Sequence, residues 1–455
     1  MNELWFAVLG GLMLVFASTL GGAVSMLDQP ADAVWSPDTP SLDNPPTSMA
    51  AGTATVGEQT YESVQAAVDA ADAGDHVTLQ GAFTEQITVD TPNVTISGEG
   101  AAQIDGNDQG TVIYVTAPHV TIEGIWITNS GTDRSDEDAG LRWSGADGHL
   151  EDVHLRNVLF GIWVESAPNV TIAHSTIVGD EAIPRSERGN AVHLFEADGA
   201  TVHNNAITQV RDGIYYQWSS GVDATDNQLW DLRYGVHYMY SDDNRLEGNL
   251  AFRNNVGFAL MVSENLTIVN NTAVDNRHGP SQHGILVKDI DHSEIRGNDL
   301  VGNGNGLFVY HSQDNHFEDN LLLENAVGMQ FTAGSSGETV VNNSFIHNDH
   351  QVIATQTATR SSWNDSTYGN YWSDARTIDL RGDGTSDVRH WPAGTVEQLL
   401  QEEPAAAVFV ESPAFEAVRL AESSFPVIEG IGVVDHHPLT ESPHDHWEAY
   451  YGHHN

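Results

Sequence analysis

The sequence predicts an all-β protein folded as a right-handed parallel β-helix, a solenoid with an N-terminal capping helix and a short C-terminal extension. Three observations lead to this fold: a repeat of 22 residues, a column of asparagines that follows it, and short stretches in which apolar residues alternate. One repeat of this length cannot bury its apolar face alone, so each coil must be stabilised by its neighbours.

The repeat is marked by segments that begin with a small residue followed by alternating apolar positions. They start at Gly161, Ala191, Gly213, Gly235, Gly257, Gly284, Gly306 and Gly328, and the intervals from Ala191 onward are 22, 22, 22, 27, 22 and 22 residues. An asparagine stands fourteen residues after each start from Ala191. Because a side-chain amide can bond to the same amide in the next coil, we predict a ladder. Its members are Asn205, Asn227, Asn249, Asn271, Asn298, Asn320 and Asn342.

The ends of a stack of coils need covers, since an open end exposes unpaired strand edges and core. Thr60 is placed to cap a helix from Tyr61 to Ala73 whose apolar face would close the N-terminal end. The predicted boundaries are 1–27 for a signal peptide or membrane anchor, 28–55 for a flexible linker and 56–375 for the β-helix. A C-terminal extension that docks a partner or caps the last coil follows at 376–439, and an acidic, histidine-rich tail at 440–455.

The composition restricts the classes of function. The 455 residues include no cysteine, so disulfides, thiolate metal sites and cysteine nucleophiles are excluded. The formal net charge is -47, and Lys288 is the only lysine, so a nucleic-acid partner is not expected. An acidic excess with almost no lysine is typical of proteins that work in concentrated salt, where screening reduces self-repulsion.

The first residues predict export. The stretch from Leu4 to Leu27 has no charged residue and is long enough to cross a bilayer as a helix. A cleaved signal and a retained anchor both fit, because a basic leading region and a clear cleavage site are missing. We therefore expect an extracytoplasmic protein, either secreted or membrane-anchored through this segment.

Strand alternation divides each repeat segment into core and outward positions. The first and third positions after the small residue are apolar and are predicted to form the core. The second and fourth positions should face solvent, although many of them carry aromatic rings, imidazoles or thioethers. They are Trp163, His193, Phe195, Tyr215, His237, Met239, Met261, Phe308 and Tyr310.

Two thioethers and one imidazole share this outward column. Met239 and Met261 occupy the same position in consecutive coils, which stack at about 4.8 Å, and His237 stands two residues before Met239. Thioether sulfur is soft, so the metal best matched to methionine with histidine is Cu(I), bound transiently. A patch covered by a loop or by a partner protein is the alternative interpretation of the same residues.

The most specific motifs are Tyr-Gly-Val-His-Tyr-Met-Tyr-Ser at 234–241, Asn-Val-Gly-Phe-Ala-Leu-Met-Val-Ser at 255–263 and His-Gly-Ile-Leu at 283–286. They resemble the central coils of the NosD family, exported β-helix accessory proteins for nitrous oxide reductase maturation. The segments 61–74 and 369–374 are found more widely in β-helix proteins, and 417–421 with 425–428 complete the match. The similarity covers residues 56–439.

The resemblance implies a protein that works with an ABC-type ATPase and a membrane subunit and helps deliver copper to the multinuclear copper site of nitrous oxide reductase. The reductase itself or a copper chaperone would be a further partner, and no catalytic residue is implied. Copper at His237, Met239 and Met261 becomes the leading hypothesis. The candidate residues for contact with a membrane partner are Phe409, Phe415, Val418, Leu420 and Phe425, and a lid over the last coil is the alternative for that segment.

The main alternative function is an extracellular protein that binds or degrades a polysaccharide, because sugar-acting enzymes share the fold. An inverting hydrolase needs two carboxyl groups about 6.5–9.5 Å apart on one face. Asp242, Asp243 and His283 faintly resemble such a set, but they are predicted to lie in turns. Copper collection by the histidine-rich tail is also considered, with a solvated, disordered end as its alternative.

Overall fold

The computed structural model describes residues 35–332, 334–354, 361–392, 412–415, 417–418 and 433–451. They form a right-handed parallel β-helix of two sheets, one with 12 strands and one with 25, so the predicted fold class is confirmed. No helix in this described part has the length and apolar character needed to span a membrane.

The 12-stranded sheet is a simple parallel stack with one strand from each coil. Its strands are β4 (Ile87–Val89), β6 (Ile113–Val115), β9 (Ala139–Trp143), β12 (Phe160–Glu165), β15 (Val192–Phe195), β18 (Asp212–Gln217), β21 (Tyr234–Met239), β24 (Val256–Glu264), β27 (His283–Asp291), β30 (Asn305–Tyr310), β33 (Val327–Phe331) and β36 (His350–Ala354).

The 25-stranded sheet receives two short strands from most coils, and it begins with antiparallel pairing of the first strand to the next two in the sheet. Its strands are β1 (Thr53–Val56), β2 (Gln59–Tyr61), β3 (His76–Thr84), β5 (Thr95–Asp105), β7 (Thr121–Glu123), β8 (Trp126–Thr128), β10 (His149–Glu151), β11 (His154–Val158), β13 (Thr171–Ala173), β14 (Thr176–Gly179), β16 (Thr201–His203), β17 (Ala206–Thr208), β19 (Asp223–Thr225), β20 (Gln228–Trp230), β22 (Arg245–Glu247), β23 (Leu250–Phe252), β25 (Thr267–Val269), β26 (Thr272–Val274), β28 (Glu294–Arg296), β29 (Asp299–Val301), β31 (His316–Glu318), β32 (Leu321–Leu323), β34 (Thr339–Val341), β35 (Ser344–Ile346) and β37 (Tyr371–Trp372).

The core follows the alternation that the sequence predicts. The first and third positions of the repeat segments form one continuous interior and are at most 1% exposed. They are Ile162, Val164, Val192, Leu194, Ile214, Tyr216, Val236, Tyr238, Phe258, Leu260, Ile285, Val287, Leu307 and Val309. The inward half of the prediction is therefore confirmed.

The N-terminal helix is shorter than predicted. Helix α1 spans Val64–Ala70, and its N-cap is Ser63, whose Oγ accepts from the backbone N–H of Ala66 at 3.2 Å. Thr60 cannot cap a helix because it lies in β2 and pairs with Thr55 of β1. Tyr61, the first residue of the predicted helix, also belongs to β2, so the helix begins three residues later than predicted.

A ladder of buried amides runs along one corner of the solenoid. The Oδ1 of each asparagine accepts from both the backbone N–H and the Nδ2 of its counterpart in the preceding coil, at 2.9–3.1 Å. The series runs through Asn205, Asn227, Asn249, Asn271, Asn298, Asn320, Asn343 and Asn370.

Asn342 is not a member of that ladder. The coil that precedes it has one extra residue, because His316 of β31 pairs with Thr339 of β34, an offset of 23 residues. Asn343 therefore occupies the buried position, while Asn342 adopts a left-handed conformation with φ 56° in the turn. The prediction of Asn342 was wrong because a constant repeat length was assumed.

Both ends of the described chain pack against the outside of the 25-stranded sheet. Trp35 donates its backbone N–H to the Tyr450 carbonyl at 2.9 Å, and their rings lie 5.6 Å apart. The 3-10 helix Trp447–Tyr451 packs on an apolar strip that includes Trp230 and Phe252. The predictions of a flexible linker and of a disordered tail were therefore wrong for the described parts of these two segments. Aromatic residues of both segments pack on this apolar strip.

The two asparagines at 342 and 343 allow a matched stability test. Replacing Asn343 with alanine removes the acceptor for the Asn320 N–H at 3.0 Å and leaves buried polar groups unsatisfied. The free energy of unfolding should therefore fall by about 2 kcal/mol or more. Asn342→Gly relieves a left-handed conformation and should leave stability unchanged or slightly raised. Thermal unfolding would contradict this assignment if Asn342→Gly were the more damaging change.

A buried carboxyl beside Asn315 should make stability depend on pH. Glu338 accepts from the backbone N–H of Asn315 at 2.8 Å, and burial raises the pKa of Glu338 to about 8 although the bonds from Asn315 act in the opposite direction. Between its ordinary pKa of 4.5 and about 8, the folded state holds a proton that the unfolded state has lost. Stability should therefore fall as the pH rises through this window.

Glu338→Gln keeps the shape and cannot ionise, so its unfolding temperature should depend less on pH between 5 and 8. Above pH 8 this variant should be more stable than the parent, and thermal melts at constant high salt measure the difference. An unchanged pH slope would exclude Glu338 as the titrating group.

Candidate functional site

Neighbouring strands of the 12-stranded sheet bring two outward rows of side chains into register. The imidazole row contains Trp163, His193, Tyr215, His237, Ala259, Leu286 and Phe308. The methionine row contains Phe195, Gln217, Met239, Met261, Lys288 and Tyr310.

Met239 and Met261 lie side by side in the methionine row. His237 pairs with Ala259 in the next coil, and the hydrogen bond from Tyr240 N–H to the Val262 carbonyl at 2.9 Å continues the same offset of 22 residues past both methionines. Both methionines are half-buried at the outer surface. Two soft donors therefore occur in adjacent coils on the outer face of the 12-stranded sheet.

The imidazole row is less accessible than the sequence predicts. Trp163, His193 and His237 are only 8%, 6% and 8% exposed, so the prediction that they face solvent is wrong. They point away from the core but are covered by other side chains. Ile183, from an insertion after β14, packs with Phe160 and Trp163.

His237 is held by a buried carboxylate that the sequence reasoning missed. Its Nδ1 lies 3.1 Å from Oδ2 of Asp212, which is 1% exposed, and Arg233 donates through Nε to the other oxygen of that carboxylate at 2.8 Å. Burial alone would raise the pKa of Asp212, but the hydrogen bonds from Arg233 and His237 outweigh it and hold the pKa below its usual value. Asp212 is therefore an anion that accepts from the Nδ1–H of His237.

The other nitrogen of His237 has no hydrogen-bond partner among the described residues and is buried. When the only ring proton is on Nδ1, the lone pair is on Nε2, which is the form of the imidazole that binds a metal. The rings of Tyr215 and Tyr234 lie 4.8 Å and 5.0 Å from this imidazole and help to cover it. An ion can reach Nε2 only when one of these covering groups moves.

His193 has the opposite tautomer. Asn190 donates its Nδ2–H to Nδ1 of His193 at 3.3 Å, which places the ring proton on Nε2. Burial lowers the pKa of His193 to about 3, against the opposing effect of the Gln217 side chain, so this ring is neutral at pH 7. The two imidazoles of one row therefore present different atoms, a lone pair at His237 and an N–H at His193.

The residues considered for sugar hydrolysis do not form a pair of carboxyls on one face. Asp242 accepts from the backbone N–H of Glu264 at 2.9 Å, and Asp243 lies in the turn with φ 57°. His283 stacks on Phe308 at 4.5 Å, and burial lowers its pKa to about 4.

Three of the candidate partner-contact residues, Phe409, Leu420 and Phe425, lie outside the described residues. Phe415 is 3% exposed and Val418 is half-buried. Further along the chain, Asp435 accepts from Trp372 Nε1 at 2.9 Å, and Val433 joins the core cluster. Within the described parts of the C-terminal extension, the segment that begins at Val433 therefore packs on the last strand of the solenoid.

Comparisons with known proteins give the family. The chain is 33% identical over 383 residues to a protein of Pseudomonas aeruginosa named "Probable ABC transporter binding protein NosD", and the match covers 80% of this chain and 87% of that protein. A protein of the same name from Stutzerimonas stutzeri is 32% identical over 380 residues, with 80% and 86% covered. This chain belongs to the NosD family.

The NosD family model, described as periplasmic copper-binding protein (NosD), matches residues 173–377, which include every residue of the His237 site. Among solved structures, the A-module of the mannuronan C-5 epimerase AlgE6 of Azotobacter vinelandii superposes with a TM-score of 0.56 at 16% identity. That match covers 66% of this chain and 92% of the module and concerns the fold alone.

The donor set of this NosD protein suits a soft ion better than a hard one. Within the described ranges, no group of three or more histidine, aspartate or glutamate side chains is arranged to hold a metal. The outer face of the 12-stranded sheet instead presents one imidazole nitrogen and two thioethers. These donors match Cu(I) in softness. The residues present therefore fit a copper cargo.

The tautomers can be tested directly by nitrogen NMR of labelled histidine. We expect His237 to be protonated on Nδ1 and His193 on Nε2 in the parent protein. Asp212→Asn should remove the preference at His237, because a neutral amide no longer requires the Nδ1 proton, while His193 serves as the internal control. A parent His237 protonated on Nε2 would contradict the assignment.

Proposed function

We propose that this protein is an extracytoplasmic accessory protein that takes up Cu(I) at His237, Met239 and Met261. In this proposal it passes the ion toward the multinuclear copper site of nitrous oxide reductase, directly or through a copper chaperone. It works beside an ABC-type ATPase and a membrane subunit, in keeping with the names of its relatives. Its activity is binding and transfer, without turnover of a substrate.

The observation that carries this proposal is the His237 Nε2 lone pair. It is buried and lacks a hydrogen-bond partner in the described structure, while Asp212 fixes the opposite nitrogen. A buried unpaired nitrogen costs free energy, so its presence calls for an explanation such as an ion that binds there. Met239 and Met261, in adjacent coils on the same face of the 12-stranded sheet, supply two soft donors.

The electrostatics of the site suit a cargo that must leave again. Asp212 and Arg233 form an ion pair, so their charges cancel, and the three proposed ligands are neutral. Thioethers bind Cu(I) without forming a charged thiolate bond, and the chain contains no cysteine to trap the ion. The net charge of -47 favours approach of a cation, although concentrated salt screens that attraction.

Uptake also needs a small movement, because Nε2 is covered. The half-buried thioethers are the accessible donors, and the ring of Tyr234 packs edge-on to His237 at 5.0 Å. We propose that an ion meets the methionines first and reaches the imidazole as Tyr234 turns away. Asp212 and Arg233 keep the imidazole in place during that exchange.

Anaerobic Cu(I) titration in high salt, against a coloured competing chelator, tests the site. Met239→Leu, Met261→Leu and His237→Gln should each weaken binding at least tenfold, since each removes one donor from the set. Met329→Leu is the matched control, because Met329 is wholly buried in the core and cannot reach an ion. Equal affinities for all four variants and the parent would remove these residues from the copper site.

A further inference from the structure

Three consecutive corners beside the methionine row hold bulky residues in an unusual backbone conformation. Trp218, Tyr240 and Val262 have φ 52°, 55° and 53°, in the left-handed region. Many turns of this solenoid use that region, but the other non-glycine residues found there in the described structure are Asn, Asp, Glu, Gln, Ser, His and Arg. Within the described residues, tryptophan, tyrosine and valine therefore adopt this conformation only at this edge.

The left-handed conformation of these three residues lowers the stability of the folded protein. A left-handed conformation is unfavourable for a residue with a bulky or β-branched side chain, and glycine or asparagine would fit the same corners with less strain. Strained residues persist in functional places more often than elsewhere. Packing does not explain the two aromatic residues, because Trp218 is 50% exposed and Tyr240 is 49% exposed.

The exposed rings form a continuous edge. Phe195 and Trp218 lie 5.5 Å apart between ring centroids, and Trp218 and Tyr240 lie 6.1 Å apart with their planes within 26°. Tyr240 directly follows Met239, and Val262 directly follows Met261. An apolar strip thus borders both thioethers.

A row of carboxylates runs beyond this strip. Glu196, Asp198, Asp243 and Glu264 are exposed, and within the described residues none of them forms a salt bridge. Asp198 and Asp242 instead accept backbone N–H groups of the neighbouring coil. An apolar centre with an unneutralised acidic rim is complementary to a protein surface with an apolar centre and a basic rim.

We infer that Phe195, Trp218, Tyr240 and Val262 form the docking edge for a basic-rimmed protein that exchanges copper with the methionine pair. This inference rests on the proposed function for the identity of the cargo but not for the existence of the interface. Trp and Tyr are the residue types that most often dominate the binding energy of such contacts. The bound protein would lie directly over Met239 and Met261.

Glycine substitutions separate a docking role from a structural one. Trp218→Gly and Tyr240→Gly remove the rings and relieve the left-handed conformation, so both variants should unfold at the same temperature as the parent or higher. Asp226→Gly is the matched control, because Asp226 is exposed with φ 56° at a corner away from this edge. A fall of several degrees in either ring variant, not seen in the control, would overturn the inference by showing that the rings stabilise the fold.

Photo-crosslinking identifies the occupant. A photoreactive amino acid replaces Tyr240 in the full chain, expressed in its own cells, and the contact peptide of any adduct is sequenced by mass spectrometry. The expected result is an adduct with a copper-binding protein through a segment rich in Lys or Arg, reduced at least tenfold by Trp218→Gly. The inference of a docking edge would be overturned if no adduct formed, or if the adduct contained a second copy of this chain or a polysaccharide. A yield that Trp218→Gly did not change would also overturn it.

The same variants keep this inference distinct from the copper site. Trp218→Gly should bind Cu(I) from the chelator with the parent's affinity, because it removes no donor. Loss of the adduct with normal copper affinity supports the docking edge. A normal adduct in a protein that binds no copper would refute the proposed cargo and leave the interface standing.

Discussion

The structure depends on coils that stack in constant register, and buried amides impose that register. Each ladder asparagine bonds to the next coil through both its backbone and its side chain, so a coil cannot slide without losing several hydrogen bonds at once. A parallel ladder runs along a second corner through Asn254, Asn276, Asn303, Asn325 and Asn348. Extra residues must therefore leave the coil as loops.

Those extruded loops decide which outward residues can be reached. The coil from Asn276 to Asn303 has 27 residues instead of 22, and its extra segment folds over Asn255, whose Oδ1 accepts from Ser281 N–H at 2.9 Å. The insertion after β14 covers Phe160 and Trp163 in the same way. The outer face of the 12-stranded sheet is thus partly covered, while the half-buried Met239 and Met261 and the exposed rings of Trp218 and Tyr240 remain accessible.

The sequence predicted what depends on local pattern. Repeat length and alternation were enough for the fold and for core positions such as Val236 and Tyr238. The wrong predictions concern contacts between segments that are distant in sequence. One extra residue in a coil places Asn343 in the ladder instead of Asn342. Thr60 pairs with Thr55 in a hairpin and so cannot cap the helix. Asp212 was missed because it lies 25 residues before His237, and only the stacking of coils brings the two together. The 22-residue repeat aligns His237 with Tyr215 and Asp212 with Tyr234, so a search one repeat before each histidine would also have had to include the residues flanking the aligned position.

The site and the edge beside it reflect one compromise between stability and function. A solenoid of this kind is most stable when corners carry glycine or asparagine and outward polar atoms are satisfied, and most of its coils follow that rule. Between β18 and β24 it departs from the rule twice, with an unpaired buried imidazole nitrogen and with bulky residues in left-handed corners. His237, Tyr240 and Val262 lie in the coils that hold the two adjacent methionines, and Trp218 lies one coil before them. Buried polar atoms without a hydrogen-bond partner also occur elsewhere in the described structure, among them His154 Nδ1 and Trp163 Nε1. What sets this region apart is that such an atom, on an imidazole that can bind a metal, lies beside three bulky residues in left-handed corners and two methionines.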